Sequence, residues 1–335
     1  MIESLKQAIL DCQNPIITTH KGPDGDAIGS SVAWYHFLRR LDKKPIIVLP
    51  DEPPGFLLPF LKGTEFYVFD SEENSTSYAF ESNQLFCLDY NSANRVGVKM
   101  EPFLRSFSGR KIMIDHHPNP ERFCDMVISR VDVCSTAQLI YQTIQELDLL
   151  HLLNDEIGKG IYLGIMTDTG SFRFPSVDKN THSILAHLIE IGVKHHEIHE
   201  AIYDQSTEGR LKFMGNAFLN RMHVFPEYKT AVMAIPKTDI YKFELKTGDT
   251  EGLVNYLLSI QGIKFAAIVI DREEERKWSF RSKGNFDVNI FARTHFEGGG
   301  HANAAGGSSL KSVEETLNDF KNILETYKTQ LSQLN

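Results

Sequence analysis

Within "THKGPDGDAIGSS" (residues 19–31), His20, Asp24 and Asp26 fall inside seven residues and are threaded by Gly22, Pro23 and Gly25. A loop of the form H-x-x-x-D-x-D aims one imidazole and two carboxylates at a point, and Gly25 lets the backbone turn tightly between the aspartates. That donor mix suits a divalent cation. The same aspartates also suit a turn or a helix N-cap, and the spacing alone leaves both readings open.

Three further stretches carry the same donor types. "IMIDHHPNP" (112–120) sets His116 and His117 directly after Asp115, with Pro118 and Pro120 taking the chain away from any sheet; solvated loop histidines are the alternative. "IYLGIMTDTGSFRF" (161–174) places Asp168 near the end of an apolar segment, where an aspartate also serves as a helix-end residue. "LFCLDYNSANRVG" (85–97) ends a strand-like run on Asp89. Together His20, Asp24, Asp26, Asp89, His116 and Asp168 are carboxylate or imidazole and never thiolate. Six such groups exceed what one catalytic zinc uses. They suit two divalent ions, Mn²⁺ ahead of Mg²⁺ because imidazole is present, with Co²⁺ as a further alternative. Paired ions of this kind serve phosphoester hydrolysis.

Such residues converge only if the fold carries them to one place. Apolar β-rich runs at 15–19, 44–50, 66–69, 85–89 and 111–115 alternate with amphipathic stretches, which predicts βα units and a mostly parallel sheet with helices on both faces. Helices are expected from Asp26 to about Leu41 and from near Ser135 and Asp155. Several predicted strands end in Thr19-His20, Asp89 or Asp115-His116-His117, and the carboxyl ends of strands form the ligand crevice of open α/β sheets. The alternation fades near "KHHEIHE" (194–200), taken as part of a helical linker; His195, His196 and His199 there read as a solvated helix rather than a metal site. A smaller α/β domain follows, with strands at 230–235, 265–270 and 277–282, a helix at 288–295, a glycine-rich loop at 298–307 and a short helix after its glycines. "DREEERK" (271–277) reads as a solvated turn. Val313, Leu317, Phe320, Leu324, Tyr327 and Leu331 form one face of a closing helix. The expected division is 1–190, a linker over 191–214, and 215–335, with the active site in the cleft between domains.

The chain has 335 residues, 41% hydrophobic and 24% charged, enough for two full cores. Its four cysteines are scattered without a C-x-x-C pair, so neither a disulfide framework nor a thiolate zinc site is signalled. With no long apolar run, a cytoplasmic protein without a membrane span is expected. A net charge of −9 argues against a grip on long nucleic acid, which needs a basic stripe; a short anionic substrate remains compatible.

The set "HKGPDGDAIGS", "LDYNSANRVG", "IDHHPN" and "GIMTDTGSFRF", in this order over residues 20–174, resembles the DHH phosphoesterase superfamily. The resemblance implies that His20, Asp24 and Asp89 hold one Mn²⁺, that Asp26, Asp89, His116 and Asp168 hold the other, and that Asp89 bridges. It also implies a catalytic or orienting role for His117, with Asp115 positioning the histidines, and gives Arg95 either substrate contact or a loop-bracing role. "FRSKGNFDVNIFARTHFEGGGHANAAGG" (280–307) is similar to the C-terminal domain associated with DHH proteins. By that resemblance Arg281 and Ser282 on a strand, with Gly298, Gly299, Gly300 and His301, bind the far end of the substrate. Glycines without Cβ atoms expose backbone N–H groups suited to a phosphate, and Arg281 suits a forked bond to one.

Compact members with both parts resemble nanoRNase/pAp phosphatases, which implies cleavage of very short oligoribonucleotides to mononucleotides and of 3′-phosphoadenosine 5′-phosphate (pAp) to AMP. The alternative within the superfamily is a phosphodiesterase for cyclic di-AMP or pApA. A single-strand exonuclease and a non-catalytic nucleotide sensor stand further off. The expected partners are short RNA or small nucleotides as substrate and a second copy of the chain, without long nucleic acid or membrane.

Overall fold

The computed structural model describes residues 2–69, 82–246, 248–272 and 275–333. These form two compact units, Met1–Gln205 and Ser206–Asn335. The first contains α1 (Ile2–Asp11), β1 (Ile16–Thr18), α2 (Gly25–Arg40), β2 (Ile46–Leu49), β3 (Phe66–Val68), β4 (Gln84–Leu88), α3 (Gly97–Ser106), β5 (Arg110–Asp115), β6 (Met126–Ser129), α4 (Thr136–Glu146), α5 (Asp155–Asp168), α6 (Lys179–Glu190) and α7 (His195–Tyr203). All five expected strands of this half are present, and β6 adds one, a short edge strand that was not expected.

The six strands pair in parallel in the order β3-β2-β1-β4-β5-β6. Every residue of β1, β2 and β4 is buried, as strands covered on both faces require. Alternate residues feed two cores: Phe86 and Leu88 join Ile28, Trp34, Phe37 and Ile161 on one face, while Leu85 and Cys87 join Met100, Leu104 and Met113 on the other. Trp34 and Phe37 are therefore packing residues, and helices cover both faces.

The second unit holds α8 (Glu208–Asn220), β7 (Met222–Phe225), β8 (Thr230–Ile235), α9 (Lys237–Lys242), α10 (Leu253–Leu258), β9 (Phe265–Arg272), β10 (Glu275–Ser282), α11 (Val288–His295), β11 (Gly299–His301), β12 (Ala304–Ser309) and α12 (Val313–Ser332). Its sheet runs β11-β12-β10-β9-β8-β7, parallel only between β8 and β9. Phe265, Ala267 and Val269 of β9 face Trp278, Phe280 and Phe320; Ala266, Ile268 and Ile270 face Phe213 and Leu257. The stretch 191–214 divides: α7 buries Ile198 in the first unit's core, and α8 buries Phe213 in the second's. Of the "DREEERK" turn, residues 273 and 274 lie outside the described residues.

One local expectation is corrected. The glycines at 298–307 form an antiparallel hairpin of β11 and β12 rather than a loop leading into a short helix. A Cβ on Gly298 would lie 2.0 Å from Gly306 O, and one on Gly300 2.5 Å from Ala304 O. These glycines permit close backbone approach within a pleated pair.

Candidate metal centre

The strand order reverses between β1 and β4: the chain leaves β1 toward β2 and β3, then returns to β1's other side. A crevice at the carboxyl ends of those two strands is the geometric consequence. His20 comes two residues after β1, and Asp89 is the first residue after β4. Asp115 is the last residue of the next strand, β5, so His116 and His117 emerge beside them. Asp89 has φ +65°, a left-handed conformation unfavourable for a residue with a Cβ. Its N–H donates to Ile114 O at 3.2 Å, and such strain persists only where the surroundings enforce it.

Two helices bring the remaining carboxylates. Asp24 is the N-cap of α2, its Oδ1 accepting from the N–H groups of Asp26 and Ala27 at 3.0 Å; the capping and site readings therefore coexist. Asp26, in the first turn, is buried, and its carboxylate accepts from Thr136 N at 2.7 Å and Ala137 N at 2.9 Å. The positive end of α4 thus faces the Asp26 carboxyl group. Asp168 closes α5. Helices α2 and α5 approach through paired Gly-x-x-x-Gly sequences, Gly25/Gly29 and Gly160/Gly164. A Cβ on Gly29 would lie 2.5 Å from Gly160 O, and one on Gly164 would lie 2.5 Å from Asp26 Oδ1.

The donors converge. His20 Nε2 stands 3.8 Å from Asp24 Oδ1 and 3.4 Å from Asp89 Oδ2. His116 Nε2 stands 3.8 Å from Asp26 Oδ2, 3.6 Å from Asp89 Oδ1 and 3.6 Å from Asp168 Oδ2. These separations are long for hydrogen bonds but suit donors gathered around a shared cation. Two of the groups that result are His20/Asp24/Asp89 and Asp26/His116/Asp168, each with its donor atoms within 4.8 Å of one another, and one Asp89 oxygen faces each of His20 and His116.

Among the described residues, the ion-pair partners of Asp26 and Asp89 are all histidines, without Lys or Arg. Burial, reinforced by the carboxylates of Asp89, Asp168 and Asp24, pushes the Asp26 carboxyl well above its ordinary range. Burial works to lower the pKa of His20, but Asp24 and Asp89 outweigh it and raise it to about 10. Burial also opposes charge on Asp89, yet the neighbouring histidines hold its carboxyl well below its usual range. Buried carboxylates crowded together without Lys or Arg are costly unless further positive charge joins them. The oxygen and imidazole donors therefore fit divalent metal ions.

Around this centre, His117 Nδ1 lies 2.7 Å from Asp115 Oδ1, and Asp115 is fully buried. Among the described residues, no group donates a hydrogen bond to the buried Asp115 Oδ2. Arg95 lies in the turn after Asp89, and its carbonyl accepts from Lys21 N at 2.7 Å, tying that turn to the His20 loop. Asn91 Nδ2 donates to Pro118 O at 2.7 Å and Ala93 N to Glu121 Oε2 at 2.8 Å, so the Asp89 and His117 loops are braced together.

In the second unit, Arg281 of β10 pairs in register with Ala304 of β12, which pairs with His301 of β11. The three side chains share one row and one face, with small Ala304 between a guanidinium and an imidazole about 10 Å apart at the backbone. The buried Ser282 hydroxyl donates to Phe286 O at 2.6 Å and accepts from Asn303 Nδ2 at 2.8 Å. Gly300 N donates to Asn289 Oδ1 at 3.0 Å, while Gly298 and Gly299 carry the chain into β11. His195 and His196 are exposed on α7, and His199 Nε2 lies 3.3 Å from Tyr162 OH.

Sequence reasoning missed Thr136, whose Oγ1 donates to Asp89 Oδ1 at 2.8 Å, as well as Glu121 and the glycine pairs. The repeated Gly-x-x-x-Gly spacing was the available signal for the last of these.

The model described as "DHH family, N-terminal domain" matches residues 14–165, and that described as "DHHA1 domain" matches residues 228–332. A relative from Thermus thermophilus, named bifunctional oligoribonuclease and PAP phosphatase NrnA, is 30% identical over 96% of this chain and 91% of its own. The Bacillus subtilis protein of that name is 28% identical over 93% and 95%. The crystal structure of an exopolyphosphatase-related protein from Bacteroides fragilis superposes with a TM-score of 0.94 at 34% identity, covering 99% of this chain and 97% of that one. The chain belongs to the DHH family of phosphoesterases.

Proposed function

We propose that this chain is a Mn²⁺-dependent hydrolase that cleaves very short oligoribonucleotides to mononucleotides and converts pAp to AMP, acting in the cytoplasm. The observation that carries the reading is the shared carboxylate: Asp89 turns one oxygen toward His20 and the other toward His116, linking two three-residue donor groups at the switch point of the sheet. In this reading His20, Asp24 and Asp89 hold one ion, and Asp26, Asp89, His116 and Asp168 the other. Such ions, when bound, supply Lewis-acid polarisation of a phosphate and activation of water.

The chain's own residues supply the rest. As a carboxylate, Asp115 accepts from His117 Nδ1, which fixes the tautomer and assigns proton exchange to Nε2. In this reading His117 Nε2, unprotonated in that tautomer, takes a proton from the attacking water and gives it to the departing ester oxygen, a general base and acid role worth about 10²–10⁴-fold. Arg281 and His301 bind a nucleotide phosphate, aided by the Gly298–Gly300 hairpin, with Ser282 holding the strand that carries Arg281. Arg95 either contacts substrate or braces the His20 loop. The net charge of −9 favours a short substrate over a long polyanion, and the similarity to proteins named for oligoribonuclease and PAP phosphatase activity, over 91% and 95% of their lengths, supports the substrate class.

Product chromatography with Mn²⁺ tests this reading on three substrates side by side: a 5′-phosphorylated RNA dinucleotide, pAp and cyclic di-AMP. Mononucleotide release from the first, with AMP from the second, is expected. Preferred opening of cyclic di-AMP would move the chain to a signalling role, and turnover of none would make it a nucleotide sensor.

A further inference from the structure

We propose that Thr136 is a positioning residue that divides the Asp89 carboxylate between two metal positions. The inference rests on the two-ion reading above and deepens it. Thr136 is fully buried and is the first residue of α4. Its hydroxyl donates to Asp89 Oδ1 at 2.8 Å, and its N–H donates to Asp26 Oδ2 at 2.7 Å. One residue therefore grips the carboxylate that faces both His20 and His116 and a carboxylate of the second donor group.

The hydroxyl bond sets the rotation of the Asp89 carboxylate about its Cβ–Cγ bond. With Oδ1 held toward Thr136 and His116, Oδ2 turns toward His20 at 3.4 Å. The other described partners of this carboxylate stand farther off: His20 Nε2 is 3.4 Å from Oδ2, and His116 Nε2 and His117 Nδ1 are 3.6 and 3.7 Å from Oδ1. The Asp26 grip survives substitution of the side chain because it is made by the backbone, as is the adjacent bond from Ala137 N at 2.9 Å. Loss of the hydroxyl therefore acts on Asp89 selectively.

The test uses the full chain stripped of metal, with Mn²⁺ binding measured by titration calorimetry and unfolding of the metal-free protein followed in parallel. Thr136→Val, which keeps shape and removes the hydroxyl, is expected to weaken the Mn²⁺ sites by about 10–100-fold, the range for partners that orient metal ligands. Thr136→Ser is expected to keep wild-type binding. Thr136→Ala repeats the removal without the β-branched bulk and decides the matter if the Val variant does not fold. Two ions bound by the wild type, with unchanged affinities in the hydroxyl-less variants, would overturn the inference alone, as would equal losses in Ser and Val. A wild type that binds fewer than two ions would overturn the two-ion reading and the inference with it.

Discussion

His117 Nδ1 and Asp115 Oδ1 lie 2.7 Å apart at the end of a strand on which Asp115 is wholly buried. A carboxylate can only accept, so the pair holds His117 in the tautomer with its proton on Nδ1. Asp115→Asn presents a donor as well as an acceptor and releases that constraint. The expected result is a fall in kcat of about 10²–10⁴-fold, with Mn²⁺ affinity retained. Steady-state kinetics and calorimetry on the same preparation separate this from damage to the metal centre.

The approach of α2 and α5 leaves no room for side chains at its glycines. Gly160→Ala would bring a Cβ to 2.6 Å from Gly29 O, and overpacking of this kind costs about 1–3 kcal/mol. Gly164→Ala would put its methyl 2.4 Å from Ala137 Cβ and 2.5 Å from Asp26 Oδ1. It is therefore expected to weaken metal binding as well as lower stability, whereas Gly55→Ala, where a Cβ meets nothing within 4 Å, leaves both unchanged. Thermal unfolding and Mn²⁺ titration of the three variants check the contrast.

Metal removal should destabilise the first unit. Crowded carboxylates at Asp26, Asp89 and Asp168 repel one another in the metal-free protein, and ions binding only the folded chain add stability by mass action. At one hundred times the dissociation constant the gain is about 2.7 kcal/mol per site. Unfolding in EDTA against unfolding in Mn²⁺ measures it, and Asp89→Ala should shrink the difference.

Arg281 and His301 share a face of the second sheet, flanking Ala304. Arg281→Ala removes a charged, forked donor; hydrogen bonds to charged groups contribute about 1.5–3 kcal/mol, so KM should rise about 10–100-fold. If Arg281 contacts the ground state and transition state alike, kcat stays close to wild type. Initial rates across a range of pAp concentrations distinguish the two constants.

The donors were legible in the sequence because each sits at a marked place: His20, Asp89 and Asp115 at the ends of apolar runs, Asp24 before a helix, and His116 and His117 before a proline. Strands β1, β2 and β4 were legible for the same reason, being fully buried and nearly continuous in apolar residues. Thr136 was not, since a threonine after a helix cap has many uses and its partner Asp89 lies far away in sequence. The glycine-rich segment at 298–307 suggested a loop because glycine is rare in strands; its place in a hairpin depends on close backbone approaches that appear only once β10, β11 and β12 are assembled. Strand β6 escaped notice because it lies at the sheet edge with only Ile128 buried.

The most direct test of the account is mononucleotide release from a 5′-phosphorylated RNA dinucleotide by metal-stripped protein as Mn²⁺ is titrated back, with Asp89→Ala alongside. The account predicts no release without metal, release that saturates as two ions bind per chain, and none from the variant. Release by the stripped protein, or undiminished release by Asp89→Ala, would contradict it.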